Sequence, residues 1–362
     1  MASKGSSLGS SLLVPSVQEL AKEPLVSVPQ RYIRPDQNHS IVSANEDGSL
    51  PDIPVIDMSK LTHQESMDSE LAKLHSACTE WGFFQLVNHG VSSSLLEEMK
   101  IQVQEFFDLP VEEKKKFWQY PGEVEGFGQS FVVSEEQKLD WSDMFFMVTQ
   151  PVHLRKPHLL PKLPLPFRET VENYSLEVKN LAAAILEQMA KVLKIRVEEM
   201  RELFTQGIRQ TMRMNYYPPC PEPDKVLGIT PHSDGTGLTI LLQVSDVEGL
   251  QIMKDGNWIP VKPLPNAFVV NIGDILEIIT NGAYRSILHR ATVNCKEKRL
   301  SIASFHSPRF DGEIYPAPSL INEETPALFR RVTVQQFFKG LFSRELRAKS
   351  YLDTLRIENG EA

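Results

Sequence analysis

Two histidines and one aspartate in this sequence are spaced as ligands of a metal ion. His232 and Asp234 are separated by a single residue, and His289 follows in a later apolar segment. Two imidazoles and one carboxylate bound to one face of a metal leave the opposite face open, which is the arrangement that non-heme Fe(II) sites use to bind a co-substrate and O₂. The pattern therefore predicts an Fe(II) site formed by these three residues.

Each half of this pattern also has a less specific interpretation. The His-x-Asp motif lies between Pro231 and Gly235, so in isolation its first interpretation is a surface turn. His289 shares one face of a strand-like segment with Ile287 and Ala291, and on such an apolar face a histidine is more often a hydrogen-bonded core residue than a ligand. The metal site is favoured because the motifs occur together with a third one.

That third motif, Arg-x-Ser, predicts an anion site. Arg299 and Ser301 lie two residues apart in an alternating segment, so both side chains point to the same face of a strand. An inward arginine is costly unless it is paired, and its guanidinium can bind a carboxylate through two parallel hydrogen bonds. The alternative is a structural salt bridge between Arg299 and one of the many acidic residues.

The composition predicts a globular protein that binds neither nucleic acid nor membranes. The chain has 362 residues, of which 41% are hydrophobic and 23% charged, with a formal net charge of -9. This acidic balance argues against a nucleic-acid groove, and no apolar run approaches the ~20 residues that a membrane-spanning helix needs. Three widely spaced cysteines and the absence of a secretory signal predict a cytoplasmic protein. The basic run 114–116 is predicted to be a solvated helix face.

Hydrophobic periodicity predicts a mainly β protein with added helices. Strands are expected at 53–57 and 82–87, a capping-box motif at 94–97 predicts a helix start, and a long amphipathic helix is expected at 167–193. Beyond Arg209 the period becomes strand-like, and six short runs are predicted as strands: 238–244, 250–253, 258–261, 267–272, 286–293 and 299–305. Short strands at this spacing are typical of a barrel or jelly roll. The tail at 325–355 returns to a helical pattern.

These patterns divide the chain into four predicted regions. Residues 1–50 are predicted to be an irregular lead-in, and residues 51–205 an α/β region that packs on the core. Residues 206–316 are predicted to form the β core that carries the site. Residues 317–362 are predicted to be C-terminal helices that cover its pocket.

Longer motifs surround the candidate ligands: 81–90 (WGFFQLVNHG), 214–221 (MNYYPPCP) and 271–274 (NIGD). With the His-x-Asp and Arg-x-Ser motifs, they resemble those of plant 2-oxoglutarate- and Fe(II)-dependent dioxygenases over nearly the full chain. The stretches 13–20, 125–129 and 154–159 most resemble the subgroup that contains the senescence-related oxygenase and the O-demethylases of codeine and thebaine. The resemblance implies a double-stranded β-helix (jelly-roll) core flanked by helices, of the isopenicillin N synthase type.

The resemblance also implies roles for individual residues. The two histidines and the aspartate would bind Fe(II), and Arg299 and Ser301 would bind the distal carboxylate of 2-oxoglutarate. Tyr217 and Asn215 match positions that also contact this co-substrate. Ascorbate is expected as an activator.

Aromatic residues are predicted to line the substrate pocket, namely Phe127, Phe131, Phe145, Phe146 and Phe305. For Phe305, ordinary core packing is an equally good interpretation. His306 is expected either to face solvent or to act as a pocket donor, and His89 is interpreted as architectural.

The implied activity is hydroxylation or O-demethylation of a small, aromatic plant specialised metabolite, such as an alkaloid, a flavonoid or a hormone-related compound, with 2-oxoglutarate and O₂ converted to succinate and CO₂. Desaturation also stays open. A monomer is expected, with the apolar stretch 144–148 as a possible dimer contact. Two other functions remain: an Fe(II) oxidase in which Arg299 binds the substrate's own carboxylate, and a non-catalytic small-molecule-binding jelly roll.

Overall fold

The computed structural model describes residues 11–22, 25, 27–34, 51–205, 207–346, 348–349 and 351–357. Much of the predicted lead-in, including 1–10 and 35–50, therefore lies outside the described residues. Its described part is anchored to the core, because the buried Asp143 carboxylate accepts hydrogen bonds from the Ser16 hydroxyl and from the backbone N–H groups of Val17 and Gln18.

Fourteen strands form three sheets in the described part of the chain. In chain order they are β1 Val55–Asp57, β2 Phe83–Val87, β3 Gly126–Gly128, β4 Asp143–Gln150, β5 Arg209–Tyr217, β6 Ile229–His232, β7 Leu238–Gln243, β8 Leu250–Lys254, β9 Asn257–Pro260, β10 Phe268–Ile272, β11 His289–Ala291, β12 Arg299–Ser307, β13 Glu313–Ile314 and β14 Val332–Thr333. The large sheet has the order β1-β2-β10-β7-β12-β5-β4-β3, the smaller one the order β6-β11-β8-β9, and β13 pairs with β14.

The helices lie mainly before and after the core strands. The α-helices are α1 Val17–Leu20, α2 Met67–Ser76, α3 Ser93–Asp108, α4 Val111–Lys114, α5 Leu165–Leu193, α6 Val197–Met200, α7 Asp274–Ile279 and α8 Val334–Phe342. Shorter π and 3-10 turns include Ala77–Trp81, Arg201–Thr205 and Leu352–Leu355. Among the described helices, none combines the length and the apolar character needed to cross a membrane.

The two larger sheets enclose a common interior, which is the jelly roll predicted from the sequence. Strands β1 to β4, which precede the predicted core region, extend the same sheet as β5, β7, β10 and β12. In β12, Leu300 and Ile302 pack in the hydrophobic core outside the interior, whereas the alternate residues Arg299 and Ser301 point inward. Helix α5 packs on the outer face of the large sheet against β4, β7 and β12.

Most of the predicted elements are confirmed, with informative exceptions. The long helix, the first two strands and five of the six core strands lie close to their predicted positions, but β11 is only three residues long. Strand β5 is not among the six predicted strands, although its residues 211–216 alternate between polar and apolar, which is the pattern of a strand with one polar face. The capping-box prediction is wrong, since α3 begins at Ser93 and has no side-chain cap hydrogen bond. In the described tail, only α8 and one 3-10 turn are helical.

Lys114 corrects the prediction of a solvated basic face at 114–116. Its side chain is fully buried, where it donates hydrogen bonds to Gln18 Oε1 and, at 2.9 Å, to the Phe107 carbonyl. Lys115 and Lys116 do face solvent, each in an ion pair with a residue one turn earlier. Gln18, in the described part of the lead-in, packs over Lys114. The periodicity of the helix alone cannot predict this contact, because Gln18 is far away in the sequence.

The stretch 144–148 is also buried, so the idea that it forms an exposed dimer contact is wrong. It is the centre of β4, which pairs with β3 on one side and β5 on the other. Its apolar residues are covered by the helices outside the sheet and by the interior of the jelly roll.

Candidate active site

The structure brings the two histidines and the aspartate of the predicted metal site together. His232 ends β6, Asp234 lies two residues beyond, and His289 begins β11 directly opposite His232 in the antiparallel pair. Ligand-type atoms of the three side chains all lie within 4.8 Å of one another. Asp234 Oδ1 lies 3.5 Å from His232 Nε2 and 3.6 Å from His289 Nε2. The pairing of β6 with β11 thus sets the geometry of the cluster.

Hydrogen bonds leave one nitrogen of each imidazole available to a metal. His232 Nδ1 lies 2.8 Å from the Thr230 carbonyl, and His289 Nδ1 lies 3.2 Å from the Ile287 carbonyl. Because a carbonyl only accepts, each Nδ1 carries the proton and each Nε2 presents a lone pair. Burial, reinforced by the neighbouring His232, lowers the pKa of His289 to about 4, so this ring is neutral at neutral pH.

The Asp234 carboxylate is oriented by two donors on its far side. Its Oδ2 accepts hydrogen bonds from the Thr239 hydroxyl at 2.6 Å and the Asn271 amide at 2.8 Å, which turns Oδ1 towards the imidazoles. Burial alone would raise the pKa of Asp234, but the neighbouring His289 and His232 and the Asn271 hydrogen bond hold it well below its ordinary value. Two imidazoles and an ionised carboxylate form the donor set expected for Fe(II).

One face of the β5–β12 pair forms the floor of a polar cavity beside this cluster. Tyr217 lies opposite Arg299, and Asn215 lies opposite Ser301. Since alternate residues of a strand share a face, these four side chains and Arg213 point into the same cavity. This polar cavity encloses about 530 Å³ and is also lined by all three residues of the His/Asp/His cluster.

The inner end of the polar cavity has the chemistry of a carboxylate site. Arg299 is 2% exposed and donates from Nη2 to Gln243 Oε1 at 2.9 Å, while its Nε has no hydrogen-bond partner among the described residues. The Asn215 amide donates to Ser301 Oγ at 3.3 Å. No acidic side chain in the described residues forms a salt bridge with Arg299, so the structural salt bridge considered for it is not observed. A buried guanidinium with an unused donor fits an anionic ligand.

A second, apolar cavity of about 710 Å³ adjoins the polar cavity at the cluster. The two cavities share Arg213, His232, Asp234 and Phe305. Most of the wall surface of the apolar cavity is apolar, and its aromatic and aliphatic side chains are Phe131, Phe146, Phe305, Phe338, Leu341, Phe342 and Leu346. Phe131 stacks on Phe342 of α8 with ring centroids 4.9 Å apart, so the C-terminal segment forms one wall.

Three of the five predicted pocket aromatics line this apolar cavity and two do not. Phe131, Phe146 and Phe305 line it. Phe145 is fully buried in the hydrophobic core, stacked on Phe106 at 4.6 Å, and Phe127 lies opposite Phe145 in the β3–β4 pair and packs in the same core. The prediction for these two residues is wrong because they occupy the outer face of the sheet. The inward residue of β4 is the neighbouring Phe146.

Two other histidines have different roles from the cluster. His89 Nε2 lies 3.1 Å from the Asn266 carbonyl and its Nδ1 accepts the Val91 N–H, which confirms its architectural interpretation. His306 is fully buried on the outer face of β12, so neither expectation for it is correct.

Sequence reasoning assigned no role to several polar residues that support or line the two cavities: Thr239, Gln243, Asn271, Arg209 and Arg213. The signal that identifies the arginines is a polar residue at every second position of β5, which is visible once 209–217 is recognised as a strand.

The jelly roll and its site together define a class of protein. A His/Asp/His cluster between an apolar cavity and a buried Arg-Ser anion site is the arrangement of an Fe(II) enzyme with an acidic co-substrate. Residues 208–308 match the 2OG-Fe(II) oxygenase superfamily, and residues 53–163 match the non-haem dioxygenase in morphine synthesis N-terminal family. The chain belongs to the 2-oxoglutarate- and Fe(II)-dependent dioxygenases, which confirms the predicted enzyme class and its need for Fe(II) and 2-oxoglutarate.

Several plant proteins are similar over nearly their whole length. Protein SRG1 of Arabidopsis thaliana is 59% identical over 99% of this chain and 100% of its own. Oxoglutarate-dependent flavonoid 7-O-demethylase 1 of Ocimum basilicum is 56% identical over 97% and 93%, and codeine O-demethylase of Papaver somniferum is 52% identical over 97% and 98%. The crystal structure of JOX2 in complex with 2OG, Fe and JA has a TM-score of 0.85 and 35% identity, covering 95% of this chain and 98% of that one.

Proposed function

We propose that His232, Asp234 and His289 bind the Fe(II) of this dioxygenase, and that Arg299 and Ser301 bind the distal carboxylate of 2-oxoglutarate. The observation that carries the proposal is the buried Arg299, with an unused Nε donor, in the same cavity as the three cluster residues. Tyr217 and Asn215 complete the anion site: the guanidinium carbon of Arg299 lies 5.0 Å from the Tyr217 ring centroid, and Asn215 Oδ1 has no hydrogen-bond partner among the described residues.

When bound, Fe(II) with 2-oxoglutarate and O₂ supplies the oxidation of a substrate C–H bond, and 2-oxoglutarate leaves as succinate and CO₂. The chain contributes positioning. The backbone carbonyls of Thr230 and Ile287 fix both imidazoles with Nε2 towards the metal position, and Thr239 and Asn271 fix the carboxylate. The apolar walls beyond the cluster exclude water from the reacting carbon.

The substrate is proposed to be a small aromatic plant metabolite that is hydroxylated or O-demethylated in the apolar cavity. This cavity lies directly against the cluster, and most of its wall surface is apolar, as is usual for small-molecule sites. Phe131, Phe146 and Phe305 are the aromatic residues that β-strands and the preceding loop contribute to its wall. The names of two relatives, a flavonoid 7-O-demethylase and a codeine O-demethylase, support an aromatic ether as the first substrate to test.

We also propose a division of the chain into regions, an oligomeric state and a cellular location for this enzyme. Residues 206–316 are proposed as the catalytic core and 317–362 as its cover, supported by Phe338, Phe342 and Leu346 in the wall of the apolar cavity. We also propose that the enzyme is a monomer. The net charge of -9 supports a protein that binds no nucleic acid, and three free cysteines support a cytoplasmic location. Ascorbate is proposed as an activator.

The first test is an anaerobic titration of the Fe(II)-loaded protein with 2-oxoglutarate, followed by the visible charge-transfer band of the chelate. We expect the band in the wild type, its loss in His232→Ala, and a higher 2-oxoglutarate concentration for half-saturation in Arg299→Ala. His153→Ala, which changes an exposed histidine, serves as the matched control and should leave the titration unchanged.

Each alternative function predicts a different result of this titration. Iron binding without a band in the wild type would favour the oxidase that does not consume 2-oxoglutarate, and a protein that binds no iron would favour the non-catalytic jelly roll. With a band established, release of formaldehyde from a methoxylated flavone identifies O-demethylation, whereas a product heavier by one oxygen identifies hydroxylation.

A further inference from the structure

Two arginines of β5 point into the apolar cavity, whose other polar side chains are hydroxyls and the His232 and Asp234 of the cluster. Arg209 and Arg213 lie on the same face of the strand, and both line this cavity. Arg209 is only 6% exposed, and the Nε of Arg213 is buried without a hydrogen-bond partner among the described residues. Neither arginine forms a salt bridge with a described carboxylate. A cavity of this kind would need no cationic groups if it bound hydrocarbon surface alone.

The two arginines differ in position. Arg213 lines both cavities, so its guanidinium can serve either the co-substrate or the substrate. Arg209 lines the apolar cavity alone and lies opposite Ser307 in the β5–β12 pair. They are four positions apart along the strand, which is about 13 Å. Arg209 therefore lies at the end of the cavity away from the inner anion site.

No contact in the described residues uses the hydrogen-bond donors of Arg209. Its guanidinium carbon lies 5.6 Å from the Phe310 ring centroid and 5.7 Å from that of Phe338. The two aromatic rings attract the positive charge of the guanidinium, but they do not accept hydrogen bonds from its N–H groups as oxygen atoms would. Burial lowers the pKa of Arg209, and the charge of Glu125 opposes this effect without a direct ion pair. The donors of Arg209 are thus left for whatever fills the cavity.

We propose that Arg209 is a specificity-determining residue that binds an anionic oxygen group, a carboxylate or a phenolate, at the end of the substrate remote from the oxidised carbon. The inference rests on the proposed function, because it takes the apolar cavity as the substrate site. It narrows the substrate class to acidic aromatic compounds. A protonated amine is disfavoured, since the only acidic side chain lining the cavity in the described residues is Asp234, which the metal uses.

The test compares the affinity of three probes of the same shape and different charge. They are 4-methoxycinnamate, its neutral amide and the cationic 4-methoxycinnamylamine, titrated by anaerobic calorimetry into the full chain loaded with Fe(II) and 2-oxoglutarate. We expect the carboxylate to bind about tenfold more tightly than the amide, and the amine to bind most weakly. A second pair, 7-methoxyflavone with and without a 4′-hydroxyl, titrated at pH 7 and pH 9, shows whether a phenolate is accepted as well.

Variants assign the preference to Arg209. Arg209→Met keeps an unbranched apolar stem and removes the guanidinium with its charge, so it should bind the carboxylate and the amide equally. Arg209→Lys should keep part of the preference. Arg309→Met is the matched control, because Arg309 is exposed and paired with Asp311, and it should behave as the wild type. Circular dichroism of each variant checks that it is folded.

Two results would overturn the proposal: equal affinity of the wild type for all three probes, or a carboxylate preference that survives in folded Arg209→Met. Calorimetry needs no turnover, so the probe preference decides the role of Arg209 whether or not the chelate band of the first test appears. A band without probe discrimination rejects the anionic subsite and leaves the proposed function in place.

Discussion

At the residue scale, hydrogen bonds decide which buried histidines can bind a metal. His232 and His289 each use one nitrogen on a carbonyl and keep the other free. His306 is equally buried, but its Nδ1 donates to the Leu238 carbonyl at 3.2 Å and its Nε2 accepts from the Gln210 amide at 3.0 Å. With both nitrogens engaged, His306 is a structural residue locked in its neutral form.

The first residue-scale prediction concerns acid stability. Burial lowers the pKa of His306 to about 4, whereas an unfolded histidine titrates near ~6.5. Between these values the unfolded chain binds the extra proton, so stability falls as the pH drops from about 6.5 towards 4, by up to ~3 kcal/mol. Above about pH 6.5 this group contributes no pH dependence.

His306→Gln tests this sign, because glutamine retains hydrogen-bonding capacity and does not titrate. Urea unfolding between pH 7.5 and 4.5 should show a shallower loss of stability in this variant than in the wild type. His153→Gln, at an exposed position, should follow the wild-type curve. Equal slopes for His306→Gln and the wild type would contradict the assignment.

At the scale of single elements, the alternation of β4 separates core from cavity. Phe145 faces the helices and stacks on Phe106, whereas Phe146 faces the apolar cavity and lies opposite Arg213 in the β4–β5 pair. Adjacent and chemically identical residues therefore have different roles, and their substitution should have different effects.

Phe145→Ala should lower the free energy of unfolding by about 3–5 kcal/mol, the usual cost of emptying a packed aromatic site. Phe146→Ala should cost less, because its ring borders a space that already exists, and it should raise the KM for the aromatic substrate. Urea denaturation and steady-state kinetics of the two variants measure this contrast. Similar losses of stability with unchanged KM for both would contradict the two faces assigned to β4.

At the scale of the whole molecule, a distant segment completes the apolar cavity. The C-terminal region contributes Phe342 and Leu346 to its wall and is tied down by Glu277 of α7. The buried Glu277 carboxylate accepts hydrogen bonds from Lys349 Nζ at 2.7 Å and Arg356 Nη2 at 2.8 Å. One carboxylate thus holds two points of the segment that covers the site.

Glu277→Gln should loosen this cover. We expect a loss of about 1–2 kcal/mol of stability, at the low end for charged hydrogen bonds because both partners are partly exposed, together with a higher KM for the substrate. Thermal unfolding, limited proteolysis of the C-terminal region and kinetics provide the measurements. Glu313→Gln, which breaks the exposed Glu313–Arg331 pair, is the control and should change stability by less than about 1 kcal/mol. Equal effects of the two variants would show that Glu277 does not hold the cover.

The sequence by itself determined the class of the enzyme and predicted the residues that we propose for its metal and anion sites. His-x-Asp and Arg-x-Ser are local motifs, and strand alternation places both members of Arg-x-Ser on one face without knowledge of any distant contact. Only the tertiary structure decided that Phe146 rather than Phe145 enters the cavity, that Lys114 is buried and that Arg209 lines the apolar cavity. The burial of each of these side chains depends on which element packs against its face of the strand or helix. Those packing elements are distant in sequence, so local patterns do not predict them.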